Sequence, residues 1–172
     1  MRNIVVLILV VMAAMLDVNL SFAQQSNDSI LARLNVFLDK WHLDAANCNH
    51  EAYIGAMSPE GVFIGTDPAE RWTTEAFGSW SKPYFDRKSA WTFKAVQRNI
   101  NLGKDGTTAW FDELLDTRMG VCRGSGVLQK RNGSWKIEQY ILSATIPNEQ
   151  MKMVTRNKAG YDSLFVKTIN GK

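Results

Sequence analysis

The sequence predicts an α+β domain in which about three N-terminal helices cover one face of a long, mainly antiparallel sheet. Three observations predict it. Apolar residues recur at helical spacing between Ile30 and Trp41. From Trp91 onward the period becomes strand-like. Asn132-Gly133, the strongest short hairpin signal in the chain, joins the last two long strands.

Residues 1–23 stand outside this domain. Arg2 supplies a positive start, Ile4 to Leu16 is almost wholly apolar, and Ser21-Phe22-Ala23 is a small-x-small cleavage pattern before Gln24-Gln25. That is the pattern of a secretory signal peptide, and the apolar run is too short and wrongly flanked for a stable membrane span. The expectation is a protein exported to the periplasm or the medium. A domain of residues 24–150 and a tail of residues 151–172 follow, with no membrane attachment after cleavage.

Within the domain, Asn27-Asp28-Ser29 offers a cap, and Ile30, Leu31, Leu34, Phe37, Leu38 and Trp41 form the stripe of a long first helix. Residues 44–49 read as a loop. Residues 51–57 predict a short second helix with Tyr53, Ile54 and Met57 on one side. Ser58-Pro59-Glu60-Gly61 predicts a turn and residues 62–64 a short buried strand. GTDPAERW follows at residues 65–72. There Asp67 precedes Pro68 and Glu70 lies three residues on, the pattern of an acid capping a helical turn. Thr73-Thr74-Glu75 then opens a third helix, with Phe77 and Trp80 inward and Pro83 closing it. Strands are predicted at residues 91–102, 107–115, 119–130 and 135–145, and a partly helical tail after Pro147.

Composition excludes several classes of function. The formal net charge is +3 with mixed signs, and no Lys/Arg cluster is dense enough for nucleic acid. His42 and His50 are the only histidines, and neither they nor Cys48 and Cys122 have metal-ligand spacing. No glycine-rich phosphate loop is present, so no cofactor is expected. In an oxidising compartment the two cysteines could form a disulfide or remain as two buried thiols; spacing does not choose.

A two-residue turn at Asn132-Gly133 sets the faces of the last hairpin. Leu128 would oppose Ile137, Gly126 Gln139, Gly124 Ile141 and Cys122 Ser143, all on the inner face. The glycines of RGSGVL, residues 123–128, either leave room for a ligand cavity, where Gln139 would find partners, or only curve the sheet. Arg123, Ser125, Val127, Tyr140 and Leu142 would share the outer face, which then looks like a homodimer interface. A register shift of one residue would instead put Arg123 in the pocket.

The order of these elements, with WFDELLDT (110–117), RGSGVL (123–128) and GSWKIEQYILSATIPNE (133–149), resembles the SnoaL-like branch of the nuclear-transport-factor-2-like superfamily. GTDPAERW and KPYF (82–85) fit its exported bacterial members. The resemblance spans about residues 27–149. It implies a cone-shaped, curved sheet wrapped around the helices, a pocket at the open end, and dimerisation through the outer sheet face. Its activities range from isomerases, cyclases and dehydratases to binding and assembly domains, so fold does not choose the function. Isomerase-type members use a carboxylate base near the strand after the second helix. Asp67 lies near that place, but the tyrosine expected on the first helix is replaced by Trp41 and His42. Gln139-Tyr140 stands where cyclase-type members favour histidine.

Proton-transfer chemistry would need a carboxylate in an apolar setting. Alternation admits only one of Asp112 and Glu113 to the inner face, and Glu113 is preferred because Asp112 could then pair with Arg123 outside. The candidate catalytic residues are therefore Asp67 and Glu113. The candidate ligand-binding residues are Trp41, Tyr53, Trp72, Trp80, Trp110, Arg123 and Gln139. Three functions follow: an exported domain that binds an unidentified small molecule, flat and apolar or sugar-like, in an aromatic-lined pocket; a cofactor-free isomerase, lyase or cyclase using a pocket carboxylate; or a dimeric scaffold for a protein partner.

Overall fold

A computed structural model describes residues 27–171. The predicted signal peptide lies outside the described residues. Helix α1 covers residues 27–46. It is followed by α2 (His50–Gly55), β1 (Met57–Ile64), β2 (Arg71–Thr73), α3 (Thr74–Asp86), β3 (Lys94–Leu102), β4 (Thr108–Thr117), β5 (Gly120–Arg131), β6 (Ser134–Ala144) and α4 (Asn148–Asn170). The strands form one curved sheet in the order β2-β1-β6-β5-β4-β3. All neighbours are antiparallel except β1 and β6.

The apolar stripe of α1 does what its spacing requires. Leu34, Leu38, Trp41 and Ala45 are buried against the concave sheet face, where Phe111, Leu115, Leu128, Ile137 and Tyr140 meet them. The aromatic centre is continuous. Trp41 stacks on Tyr53 with ring centroids 4.9 Å apart and meets Tyr140 edge-on at 4.7 Å, while Phe63 stacks on Phe77 at 3.9 Å. No described helix is long and apolar enough to cross a membrane.

Local chemistry departs from the sequence reading at six places. Residues 58–61 continue β1 rather than turning, with an irregular register against β6 between Met57 and Val62. Residues 65–70 close a hairpin between β1 and the short strand β2, so Asp67 organises a loop and not a helix. One capping-box bond still forms, the Asp67 N–H donating to Glu70 Oε2 at 3.2 Å, while Asp67 Oδ1 accepts from the Ala69 N–H, two residues on, at 2.9 Å. Helix α3 begins where Thr73 caps it, accepting from the Ala76 N–H, but runs through Pro83 to Asp86. Helix α1 continues to residue 46, through part of the expected loop. Strand β3 starts only at Lys94, which leaves residues 89–93 without regular structure.

The sixth departure decides the interior. Asn132 and Gly133 adopt φ of 49° and 83°, as a tight hairpin turn needs, and Arg131 faces Ser134 as expected. Leu128 pairs with Ile137, but the next partners are Val127 and Gln139, so Glu138 is an extra residue in β6. This bulge flips every later side chain of β6. Tyr140 and Leu142, expected outside, point into the core, and Gln139, expected inside, moves to the other face. The interface composed of Arg123 or Ser125 with Tyr140 and Leu142 is corrected accordingly: only Arg123 and Ser125 remain on the outer face.

Both cysteines are free, Cys122 buried and Cys48 half-buried.

Candidate functional site

Strand β4 alternates, and Glu113 is the member of the acidic pair that turns inward; it is 1% exposed. Asp112 is outside and accepts a hydrogen bond from Asn99 Nδ2 at 3.0 Å rather than pairing with Arg123. Three elements converge on the Glu113 carboxylate. From α1, His42 Nε2 lies 2.8 Å from Oε1. From β6, the Tyr140 hydroxyl donates to the same oxygen at 3.0 Å. From β3, Arg98, whose Cα pairs with that of Glu113, donates through Nε to Oε2 at 2.8 Å. Arg98 Nη1 reaches back to α1, to Asp39 Oδ1 at 2.7 Å and to Asn35 O and Oδ1 at 3.2 and 3.3 Å. An ionised carboxylate only accepts, so His42 carries a proton on Nε2. His42 Nδ1 and Arg98 Nη2 are buried without a hydrogen-bond partner among the described residues.

Burial alone would push the Glu113 carboxyl up. The His42 hydrogen bond and charge, followed by Arg98, outweigh it and hold the group below the usual glutamate range. The same burial, with the Glu113 charge beside it, pushes the Tyr140 phenol well above its ordinary value. A depressed folded-state pKa adds stability above the unfolded value, and that stability is lost as pH falls through the folded value. Unfolding midpoints should therefore fall as pH drops below about 4.3, the reference glutamate value. Glu138, held down mainly by Arg131, contributes in the same direction. Guanidinium titrations of the wild type and Glu113→Gln across this range isolate the Glu113 share: the variant should show the shallower pH slope.

Gly124 and Gly126 face the same interior, and the space they leave is filled by the protein itself. A Cβ on Gly124 would sit 2.9 Å from Glu113 Oε1 and closer still to the Tyr140 hydroxyl. A Cβ on Gly126 would meet the Phe111 ring at 2.8 Å. The glycines admit side chains from neighbouring strands, not a ligand.

The remaining predicted residues separate into four places. Trp41 and Tyr53 are core: Trp41 Nε1 donates to Tyr53 O at 3.0 Å, and both are sealed from solvent. Trp110, 50% exposed, and Arg123 stand on the outer sheet face, and the bulge keeps Gln139 out of the core, so none of these three lines an interior pocket. Asp67 makes no contact with the Glu113 cluster. Its two carboxylate oxygens each accept from the Tyr161 hydroxyl of α4 at 3.1 Å, a tether between loop and tail. Trp72 and Trp80 stack with centroids 4.7 Å apart at the edge of a cleft of about 370 Å³.

That cleft is built from the β1–β2 loop (Gly65, Thr66, Glu70), Trp72, Trp80, the irregular segment with Trp91, Thr92 and Phe93, the β4–β5 turn (Arg118, Met119), and Leu142. Arg118 forms no ion pair with any described residue. A second hollow of about 330 Å³, lined by Asp39, His42, Leu43, Phe93 and Lys94 among others, shares Thr92 and Phe93 with the cleft. A larger hollow, about 790 Å³, lies elsewhere, between α1, α2 and Trp135. There Lys40 pairs with Asp44, and Lys136 donates to Gly55 O. Among the described residues no group of acids, histidines and cysteines could hold a metal ion.

His42, Arg98, Tyr140, Trp91 and Phe93 escaped the sequence reading of the site. Two left a signal. His42 falls in phase with Leu38 and Ala45 on the apolar side of α1, and Arg98 falls in phase with Ile100 and Leu102 on β3. A charged or titratable side chain on an apolar face calls for a buried partner. Tyr140 left none, because its side depends on the bulge.

A curved, mainly antiparallel sheet closing over N-terminal helices, with a polar cluster inside it, is the cone of the NTF2-like class. The chain belongs to the SnoaL-like domain family, whose profile matches residues 34–147. Solved structures share the cone at low identity. A protein from Novosphingobium aromaticivorans, provisionally named a scytalone dehydratase, is 12% identical over 72% of this chain and 89% of that one, with a TM-score of 0.61. An NTF2-like protein of unknown function from Pseudomonas putida is 13% identical over 69% and 89%, TM-score 0.58. A protein of the NTF2-like family from Streptomyces avermitilis, provisionally named a dehydratase, is 11% identical over 70% and 99%, TM-score 0.58. At these identities the likeness is one of fold. No curated protein matches the chain.

Proposed function

We propose that this SnoaL-like protein is exported and binds a flat, largely apolar small molecule carrying an acidic group. The observation that supports the reading is the cleft of about 370 Å³ walled by Trp72, Trp80, Trp91 and Phe93, with unpaired Arg118 at its side. Its size falls in the range of small-molecule sites, and aromatic walls with few polar groups suit a planar ligand. Trp80 is 39% exposed, so a large apolar surface faces water until something covers it. Neither carboxylate named from the sequence favours catalysis by a pocket acid. Asp67 is engaged in a surface loop and Glu113 is already saturated with donors and held ionised, which makes it a weak base.

The test uses 2-naphthoate, a flat apolar carboxylate, followed by calorimetry and tryptophan quenching on the secreted protein. The wild type should bind, Trp80→Ala should weaken binding by about tenfold, as removal of an aromatic anchor does, and Arg118→Ala should weaken it less. Equal affinity in wild type and Trp80→Ala would remove the cleft from consideration. The mass of the secreted chain reports export: a mature N-terminus at Gln24 supports it, and an intact Met1 in the cytoplasm refutes it.

A further inference from the structure

The hollow of about 790 Å³ between α1, α2 and Trp135 shares no lining residue with the Trp72–Trp80 cleft. Its volume falls in the range of small-molecule sites. Two half-buried aromatic side chains, Phe37 of α1 and Trp135 of β6, line it together with the carboxylates of Asp44 and Glu51. Asp44 is 6% exposed in the last turn of α1, where the helix dipole is negative and a carboxylate is disfavoured. A buried charge needs a partner, and here the partner is an ammonium. Lys40 Nζ stands 2.5 Å from Asp44 Oδ2, while Asn49 Nδ2 donates to Oδ1 at 3.3 Å. The Lys40 side chain itself is 64% exposed, so its tip reaches the buried acid from a largely solvated stem. The other positive or protonatable groups of the lining are turned elsewhere. Lys136 donates to Gly55 O, and His50 Nε2 faces Gly78 O and Ser81 Oγ of α3. Glu51 forms no ion pair among the described residues. The charge left over in the hollow is therefore negative, and it stands beside two aromatic rings.

We propose that this hollow binds an organic cation with an aromatic body, of the arylalkylamine class. The ligand's ammonium takes the place on Asp44 that Lys40 Nζ now fills, and Lys40 swings into solvent. Glu51 supplies a second negative charge, and the end of α1 adds its partial charge. The ring of the ligand lies against Trp135 and Phe37, whose faces attract a neighbouring cation and cover the apolar body. Lys40 is in this reading a built-in competitor, and its ammonium shows which chemistry the acid accepts. A single i,i+4 pair with a solvated lysine is weak, so a ligand that also buries a ring displaces it. A bare metal ion does not fit the same place, because among the described residues no group of three acids, histidines or cysteines converges there. The inference does not depend on the Trp72–Trp80 cleft holding a ligand.

Calorimetry on the secreted protein at neutral pH compares phenethylamine, which is protonated there, with 3-phenylpropionate, which has nearly the same shape and the opposite charge. The amine should bind and the acid should not. Lys40→Met removes the competitor and should bind the amine about threefold more tightly, the scale of one exposed ion pair. Glu51→Gln should weaken amine binding by about the same factor, and Trp135→Ala by about tenfold. Lys40 and Glu51 are exposed, so these two variants keep the fold whatever Trp135→Ala does. No binding of the amine by the wild type overturns the proposal. So does phenylpropionate binding as tight as that of the amine, or amine affinity that is unchanged or lower in Lys40→Met. Trp80→Ala should bind the amine like the wild type, so failure here and failure of naphthoate binding are separate results.

Discussion

Glu113→Ala should destabilise the folded protein by about 3–5 kcal/mol, the cost of removing one partner from a buried ion pair. The carboxylate is 1% exposed and ties α1, β3 and β6 together through His42, Arg98 and Tyr140. Its removal leaves the side chain of Arg98, 5% exposed, with only Asn35 and Asp39 of α1 as partners. It also leaves the Tyr140 hydroxyl without an acceptor in a sealed core. Urea unfolding checks this: the midpoint should fall with the slope unchanged, since the surface exposed on unfolding is the same. Glu113→Gln should lose less, because the amide still accepts from one donor. A Glu113→Ala midpoint within error of the wild type would mean that the cluster contributes nothing net, as some buried ion pairs do when both partners are replaced.

Gly124→Ala should cost about 1–3 kcal/mol, the usual penalty of overpacking, and toward the upper end of that range. The added methyl would press on Glu113 Oε1 and the Tyr140 hydroxyl, which are bonded to each other and to the rest of the cluster. Neither can withdraw without breaking a charge-assisted hydrogen bond. The backbone conformation is not the obstacle, because Gly124 is not among the positive-φ residues. A double-mutant cycle with Tyr140→Phe makes the cause visible. If the hydroxyl is what the methyl strikes, the two losses should not add, and the coupling should be about 0.5 kcal/mol or more. Additive losses would place the strain elsewhere.

How much of this was legible varies from element to element, for physical reasons. The α1 stripe, the switch to alternation and the Asn132-Gly133 turn are local patterns, and each appears in the fold, the switch three residues later than expected, at Lys94. Alternation in β4 put only one of Asp112 and Glu113 inside; it is Glu113, although the expected Asp112–Arg123 pair does not form and Asp112 accepts from Asn99 instead. Asp67 and Glu70 formed local hydrogen bonds but closed a hairpin, because such bonds suit a turn as well as a helix start. The Glu138 bulge had no local signature. It is held by tertiary partners, with Glu138 accepting from Ser58 Oγ at 2.9 Å and from Arg131 Nε at 2.6 Å. One extra residue there moved Tyr140 inside and Gln139 outside, and with them the face on which a site could form.

The sequence by itself determined the first helix, the long strands and the last hairpin turn, since these follow from periodicity and turn chemistry within a few residues; the cone came from the resemblance to the SnoaL-like family, and alternation left Glu113 only preferred over Asp112. Only the tertiary structure decided that His42, Arg98 and Tyr140 share that glutamate, although they lie 71, 15 and 27 residues from it along the chain. Sequence spacing carries no information about such a meeting. The register of β6 and the seating of α1 on the sheet create it.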